Sequence, residues 1–196
     1  MLVAHGELLS VASFLKHRQS EHRQRASGDA ESRAMIRPAT LEDSASIADL
    51  YNHFVERTVV TFEEQPVAAR EMQSRIAAVI EAGYPWLVAE MEGGVVGYAY
   101  AKPWQARSAY RLTLESTIYL APACARRGLG TQLYGALIEE LRTGHLAHCV
   151  VGVIALPNPG SVGLHEKLGF ELIGIFKEVG RKFDAWVDVG YWQLTL

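Results

Sequence analysis

Residues 115–134 read ESTIYLAPACARRGLGTQLY. A β-branched run, Ser116–Leu120, breaks at Pro122 and gives way to Arg126-Arg127-Gly128-Leu129-Gly130-Thr131. Leu133, Leu137, Ile138 and Leu141 then recur at helical spacing. A strand, a glycine turn and a helix in that order offer free backbone N–H groups and a positive helix dipole to an anion. Gly128 and Gly130 let the main chain approach closely, and Arg126 and Arg127 add charge beside it. The stretch reads as a pyrophosphate cradle, with a plain strand-to-helix turn as the alternative. A Walker loop is excluded, since its four-residue glycine spacing and Lys-Ser/Thr are missing. A dinucleotide fingerprint is excluded by Leu133, which stands where a third small residue is needed.

Outward from this stretch, the order is strand, two helices, three strands, helix, strand, helix, two strands. Ile36 lies in a short first strand, and Asp43 or Ser44 caps a helix through Ile47, Leu50, Tyr51 and Phe54. Pro66 opens a second helix through Met72, Ile76, Val79 and Ile80, ended by Gly83. Trp86–Met91 and Val95–Ala101 form a hairpin turned at Glu92-Gly93-Gly94. Thr113–Leu120 feeds the glycine loop, and residues 128–142 form the next helix. Residues 149–155 are nearly all apolar, as in a strand buried on both faces. Ser161–Leu168 is a short helix, and residues 170–176 and 186–194 close the sheet. The class is mixed α/β, one central sheet flanked by helices, over residues 35–196.

The chain has 196 residues, 49% of them hydrophobic, enough for one globular domain with a sizeable core. A net charge of −3 carries no basic field for nucleic acid. Cys124 and Cys149 are too few for a disulfide framework, and reduced thiols in the cytoplasm are the simpler reading. His145 and His148 lack companions for a metal site. Residues 1–34 mix Lys, Arg, Gln, Ser and His around one short apolar patch, too short to span a bilayer. They read as a flexible extension, with Met35 as a candidate natural start.

Strand parity places Thr113, Glu115, Thr117 and Tyr119 on one face and Leu114, Ser116, Ile118 and Leu120 on the other. Glu115 therefore stands on a polar face near the loop, suited to a general base or to a structural ion pair. Residues 93–114 hold no acid, yet Lys102, Arg107 and Arg111 occur there with Tyr98, Trp104 and Tyr110. Cationic groups beside aromatic walls suit a small zwitterion or dianion, whereas polyamines need an acidic cleft. A solvated basic loop is the alternative. His165 falls on an apolar helix row with Val162 and Leu168, as a hydrogen-bonded core residue or a catalyst. Asn158 and Ser161, at that helix's start, suit polar groups of a cofactor.

The blocks YPWLVAE (84–90), PWQARSAY (103–110), ESTIY (115–119), LPN (156–158), HEKLGF (165–170) and DVGYWQL (188–194) carry a resemblance. From Met35 to Leu196 the chain resembles the GNAT superfamily, and within it the phosphinothricin/methionine sulfoximine N-acetyltransferases. That resemblance implies acetyl-CoA as donor, no metal, and a small amino-acid-like amine as acceptor. It implies that the backbone of Ile118, Tyr119 and Leu120 holds the pantetheine arm and that Arg126, Arg127, Gly128, Leu129, Gly130 and Thr131 hold the pyrophosphate. By the same resemblance Asn158 would contact the cofactor further along. Gln105, Arg107 and Ser108, with Glu115, Ser116 and Thr117, would line the acceptor, Arg107 would take its carboxylate or phosphinate, and Phe62 would cover it. A homodimer is implied too. The superfamily's usual Gln or Arg opening the loop is Ala125 here, and its common Tyr acid is His165, as in the phosphinothricin-like branch.

The expected chemistry is direct transfer in a ternary complex. Glu115 takes the amine proton, strand N–H groups polarise the thioester, and His165 protonates the leaving thiolate. The rivals are a protein N-terminus or another amine as acceptor, and a non-catalytic acyl-CoA sensor.

Overall fold

The computed structural model describes residues 34–196 apart from Gly93, Arg126 and Arg127. The N-terminal extension and the two loop arginines lie outside the described residues. Seven strands form one sheet: β1 Met35–Pro38, β2 Trp86–Met91, β3 Gly94–Pro103, β4 Thr113–Leu120, β5 Cys149–Leu156, β6 Glu171–Lys182 and β7 Ala185–Thr195. Helices α1 Ser44–Arg57, α2 Ala69–Glu81, α3 Leu129–Thr143 and α4 Pro159–Lys167 flank it. The strand order is β1-β2-β3-β4-β5-β7-β6. Every pairing is antiparallel except β4 with β5.

The two-residue period of the strands sorts the core into two layers. Leu87, Ala89, Ala99, Ala101 and Leu114 face α3, meeting Leu133, Tyr134, Leu137 and Leu141. Trp86, Val88 and Tyr98 face the other way, onto Ile47, Tyr51, Val55, Met72 and Ile76 of α1 and α2. The alternating apolar strands and the periodic helices thus meet as their sequences require.

Several details differ from the sequence reading. Helix α2 starts at Ala69, not Pro66. Val67 is held extended by Asn52, whose Oδ1 accepts from the Val67 N–H and whose Nδ2 donates to its carbonyl. Strand β6 runs six residues past Phe176, because the ladder with β7 resumes at Gly180 after an irregularity. Asp188 spans that gap, accepting from Lys177 and from the Glu178 N–H. Strand β5 is not buried on both faces throughout: Val153 is 39% exposed and opens onto a cleft.

Asp43 occupies the N-cap position of α1, but its side chain makes no capping bond there. Its carboxylate accepts two guanidinium bonds from Arg37, each 2.8 Å, and one from the Thr40 N–H. Arg37 also donates to Glu90 on β2, so one buried carboxylate fastens β1 to the start of α1. The Arg37 hydrogen bonds pull the Asp43 pKa from 3.8 to about 2, against the opposing effect of burial. A depressed carboxylate stabilises the fold above its unfolded pKa and loses that contribution as pH falls toward the folded value. Asp43→Asn should therefore cost about 2 kcal/mol at pH 7. In urea titrations its deficit against the parent should narrow by about half at pH 3.

Candidate active site at a fork in the sheet

The only parallel pair in the sheet is also its shortest central one. Strands β4 and β5 are in register from Thr113↔Cys149 to Ser116↔Gly152 and then part. On its other edge β4 stays bonded to β3 through Leu120, and the Ala121 N–H donates to Val96. Alternation along an antiparallel strand then turns the N–H and C=O groups of Ile118 and Leu120 into the gap. The fork leaves half a strand free to bond an extended guest.

A cleft of about 1080 Å³ runs through this fork. At one end lie Ala125, Gly128, Gly130 and Thr131, with Asn158 and Ser161 across from them among its lining. Gly128 has φ +78°, a left-handed turn that suits glycine, and it immediately precedes α3. The first N–H groups of α3, at Leu129, Gly130 and Thr131, have no partner within the helix. That is an anion seat of backbone donors at a positive helix end. The Leu129 side chain is buried in the core, so its part is limited to backbone. The Asn158 side chain caps α4 by accepting from the Ser161 N–H at 3.1 Å.

The other end of the cleft is walled by aromatic rings. Trp86 stacks on Tyr100 at 4.1 Å, and Tyr119 meets Tyr51, Phe54 and Tyr98 at 5.1 to 5.5 Å. Phe62 lines this end, as do Glu63, Arg75, Lys102, Glu115 and Thr117. Glu115 stands where strand parity put it. Its partner is Lys102, 3.2 Å away on β3. Arg75 is bound to Glu63 at 2.6 Å. Burial pushes the Tyr51 hydroxyl up to about 12, so it stays a proton-bearing partner of Thr61, 2.6 Å away.

Ser116 projects to the opposite face and is buried; its hydroxyl sits 2.6 Å from that of Tyr134 on α3. Ser116 is still among the residues lining the cleft, with its hydroxyl engaged by Tyr134. The Tyr134 hydroxyl lies 3.0 Å from His165 Nε2, and His165 Nδ1 lies 2.8 Å from the Ser161 carbonyl. A carbonyl only accepts, so Nδ1 carries the proton and Nε2 accepts from Tyr134. The neutral chain therefore runs Ser116 to Tyr134 to His165. The His165 ring lies on Gly152, at the fork, where a Cβ would come within 2.5 Å of it. His165 is 4% exposed, and burial lowers its pKa below 6.5 despite the Ser161 carbonyl.

Gln105, Arg107, Ser108 and Tyr110 are all exposed, and none lines the cleft. A short turn, Ser108–Tyr110, follows β3 beyond the cleft, and Tyr110 packs edge-on against Trp104 instead. The cations that do line the aromatic end of the cleft are Lys102 and Arg75. Arg75 was not picked out by the sequence reading, although it stands three residues from Met72 and four from Val79, on the buried row of α2. Tyr134 left a similar signal, a hydroxyl among leucines. Among the described residues no three His, Cys, Asp or Glu gather as for a metal, and no helix is long and apolar enough to cross a membrane.

A mixed sheet that forks between its parallel strands, beside a backbone anion seat, is the frame of this site. The acetyltransferase (GNAT) domain family matches residues 36–190, and this chain belongs to it. It is 44% identical to phosphinothricin N-acetyltransferase of Streptomyces viridochromogenes over 81% of this chain and 85% of that protein. It is 39% identical to the L-methionine sulfoximine/L-methionine sulfone acetyltransferase of Pseudomonas paraeruginosa, over 83% and 95% of the two chains. The crystal structure of a phosphinothricin acetyltransferase from Sinorhizobium meliloti in complex with AcCoA superposes with a TM-score of 0.79. It shares 38% identity over 83% of this chain and 88% of that one.

Imidazole ¹⁵N shifts should show His165 protonated on Nδ1 and bare on Nε2 at pH 7. The ring should stay neutral below pH 6.5, because a buried histidine with a lowered pKa charges only as pH falls further. Tyr134→Phe leaves Nε2 and the Ser116 hydroxyl without their partner and should cost about 1–3 kcal/mol in urea unfolding.

Proposed function

We propose that this chain moves the acetyl group of acetyl-CoA to the amine of a small amino-acid-like acceptor. The acceptor is of the phosphinothricin, methionine sulfoximine or methionine sulfone type, and it attacks directly in a ternary complex. The observation that carries this reading is that one cleft joins the fork and the anion seat to the carboxylate of Glu115. The relatives' names give the acceptor class.

When bound, acetyl-CoA supplies an acyl group already activated as a thioester. The N–H groups of Leu129, Gly130 and Thr131 bind its pyrophosphate. Ile118 and Leu120 bond its extended arm as an added strand, and Asn158 and Ser161 flank that arm. Unpaired N–H groups at the fork would stabilise the charge that a thioester oxygen gains in the transition state. Glu115, directly or through one water, takes the proton that the acceptor amine must lose. Lys102 fixes the carboxylate's position and offers its charge to an acceptor carboxylate or phosphinate. The walls of Trp86, Tyr98 and Tyr100 exclude water. The charged form of His165 would be the proton source for the departing sulfur, relayed from Nε2 through the Tyr134 and Ser116 hydroxyls, the second of which lines the cleft. Burial, which lowers its pKa, makes that form a ready donor.

The protein works as a homodimer in the cytoplasm under this reading. Edge strand β6 leaves Leu172, Ile173, Ile175, Phe176 and Val179 each at least 41% exposed. A long apolar edge of this kind invites aggregation unless it is covered, and a second copy covers it symmetrically. Cys124 and Cys149 are both free thiols, as a reducing compartment requires.

Thiol release from acetyl-CoA against the three named acceptors, common amino acids, a polyamine and an N-terminal peptide tests the reading. Saturable turnover should be confined to the glutamate and methionine analogues. Glu115→Gln should lower kcat by about 100-fold or more, with the KM for acetyl-CoA little changed. Turnover of the peptide alone, or full activity in the Gln variant, would overturn it.

A further inference from the structure

The segment between α1 and α2 roofs the acceptor end of the cleft through Thr61, Phe62 and Glu63. Two of its anchors come from those same helices. Tyr51 on α1 holds the Thr61 hydroxyl at 2.6 Å, and Arg75 on α2 holds Glu63 at 2.6 Å. The third anchor comes from 121 residues away. Lys182, at the end of β6, donates from Nζ to the Thr61 carbonyl at 2.8 Å. Beside it, Phe62 lies directly on Gly180: a Cβ there would overlap ring atoms Cζ and Cε2.

Lys182 is an expensive way to make this contact. It is 2% exposed, and burial lowers its pKa, opposed by Glu64 and Glu63 nearby. Among the described residues its ammonium has one hydrogen-bond partner, a neutral carbonyl. A buried ammonium so held adds little net stability, and an apolar residue of similar length would suit the site at least as well. What the lysine adds is position: it draws the Thr61 carbonyl to the hairpin and seats Phe62 on the bare backbone at Gly180.

We propose that Gly180 and Lys182 are positioning residues that set the height of the Phe62 roof, and through it which acceptor the cleft takes. This rests on the reading that the amine acceptor binds beneath Phe62. An added methyl at residue 180 lifts the ring off the hairpin toward the cleft. Phe62 is 42% exposed, so its ring has open space on the side away from the hairpin into which it can shift. Loss of the Lys182 ammonium frees the Thr61 carbonyl and loosens the roof as a whole.

The test is a double-mutant cycle with two readouts. Gly180→Ala should raise the KM for methionine sulfone about fivefold or more, while the KM for acetyl-CoA stays within about twofold. In a Phe62→Ala background the same change should have no further effect, because the ring it displaces is gone. Lys182→Met should raise the methionine sulfone KM likewise and speed amide hydrogen exchange across residues 58–65, with unchanged melting temperature. An equal effect of Gly180→Ala with and without Phe62 would overturn the proposal. So would unchanged exchange at residues 58–65 in Lys182→Met, or an acceptor KM that neither variant moves. If the parent enzyme acetylates none of the acceptors, the functional reading fails, and the exchange measurement still decides whether Lys182 holds the roof.

Discussion

The parting of β4 from β5 after Ser116 and Gly152 is the constraint on which the rest of the structure depends. A closed ladder would satisfy every backbone group of Ile118 and Leu120 and leave no room for a guest. An open one exposes them, and exposed strand edges within a sheet need a partner. Here β4 is held firmly along β3 as far as Leu120, while β5 is held along β7 as far as Leu156. Each strand is thus anchored on its outer side, so the gap between them persists without either strand fraying. The fork is also where the chain's two chemistries meet. The backbone anion seat lies along one direction of the cleft, and the aromatic end along the other.

What keeps the fork apart is a wedge. The His165 ring lies on Gly152, Tyr134 reaches up from α3, and the Ser116 hydroxyl completes the chain. Phe170 stacks on Tyr134 and meets His165 edge-on, closing the apolar side. Three polar groups in so dry a place are tolerable because each finds a partner and because the Ser161 carbonyl fixes the direction of the bonds. The same dryness that lowers the His165 pKa holds the Tyr134 hydroxyl well above its usual range. One buried hydrogen-bonded chain thereby ties α3 and α4 to the strands at the fork.

Much of this was legible in the chain itself. Residues 115–134 announced strand, turn and helix because Pro122, Gly128 and the leucine period are local signals, and Glu115 could be placed by parity alone. Phe62 was placed by resemblance and does line the cleft. What the chain did not show has a common physical reason. Arg107 and its neighbours stand outside the cleft lining, and composition does not say which way a turn carries a loop. Lys182 and Thr61 are joined across 121 residues, and Ser116, Tyr134 and His165 come from three separate elements. Such contacts belong to the packed sheet and leave no periodicity. Val153 broke an otherwise correct reading of β5 as buried, since an apolar residue facing a cleft looks the same in sequence as one facing a core.

A crystal structure of the protein with acetyl-CoA tests the fork most directly. The account predicts the pantetheine arm lying between β4 and β5, hydrogen-bonded to the main chain of Ile118 and Leu120, with its pyrophosphate on the N–H groups of Leu129 to Thr131. An arm bound elsewhere, or a sheet in which β4 and β5 zip together past Ser116 and Gly152, would contradict it.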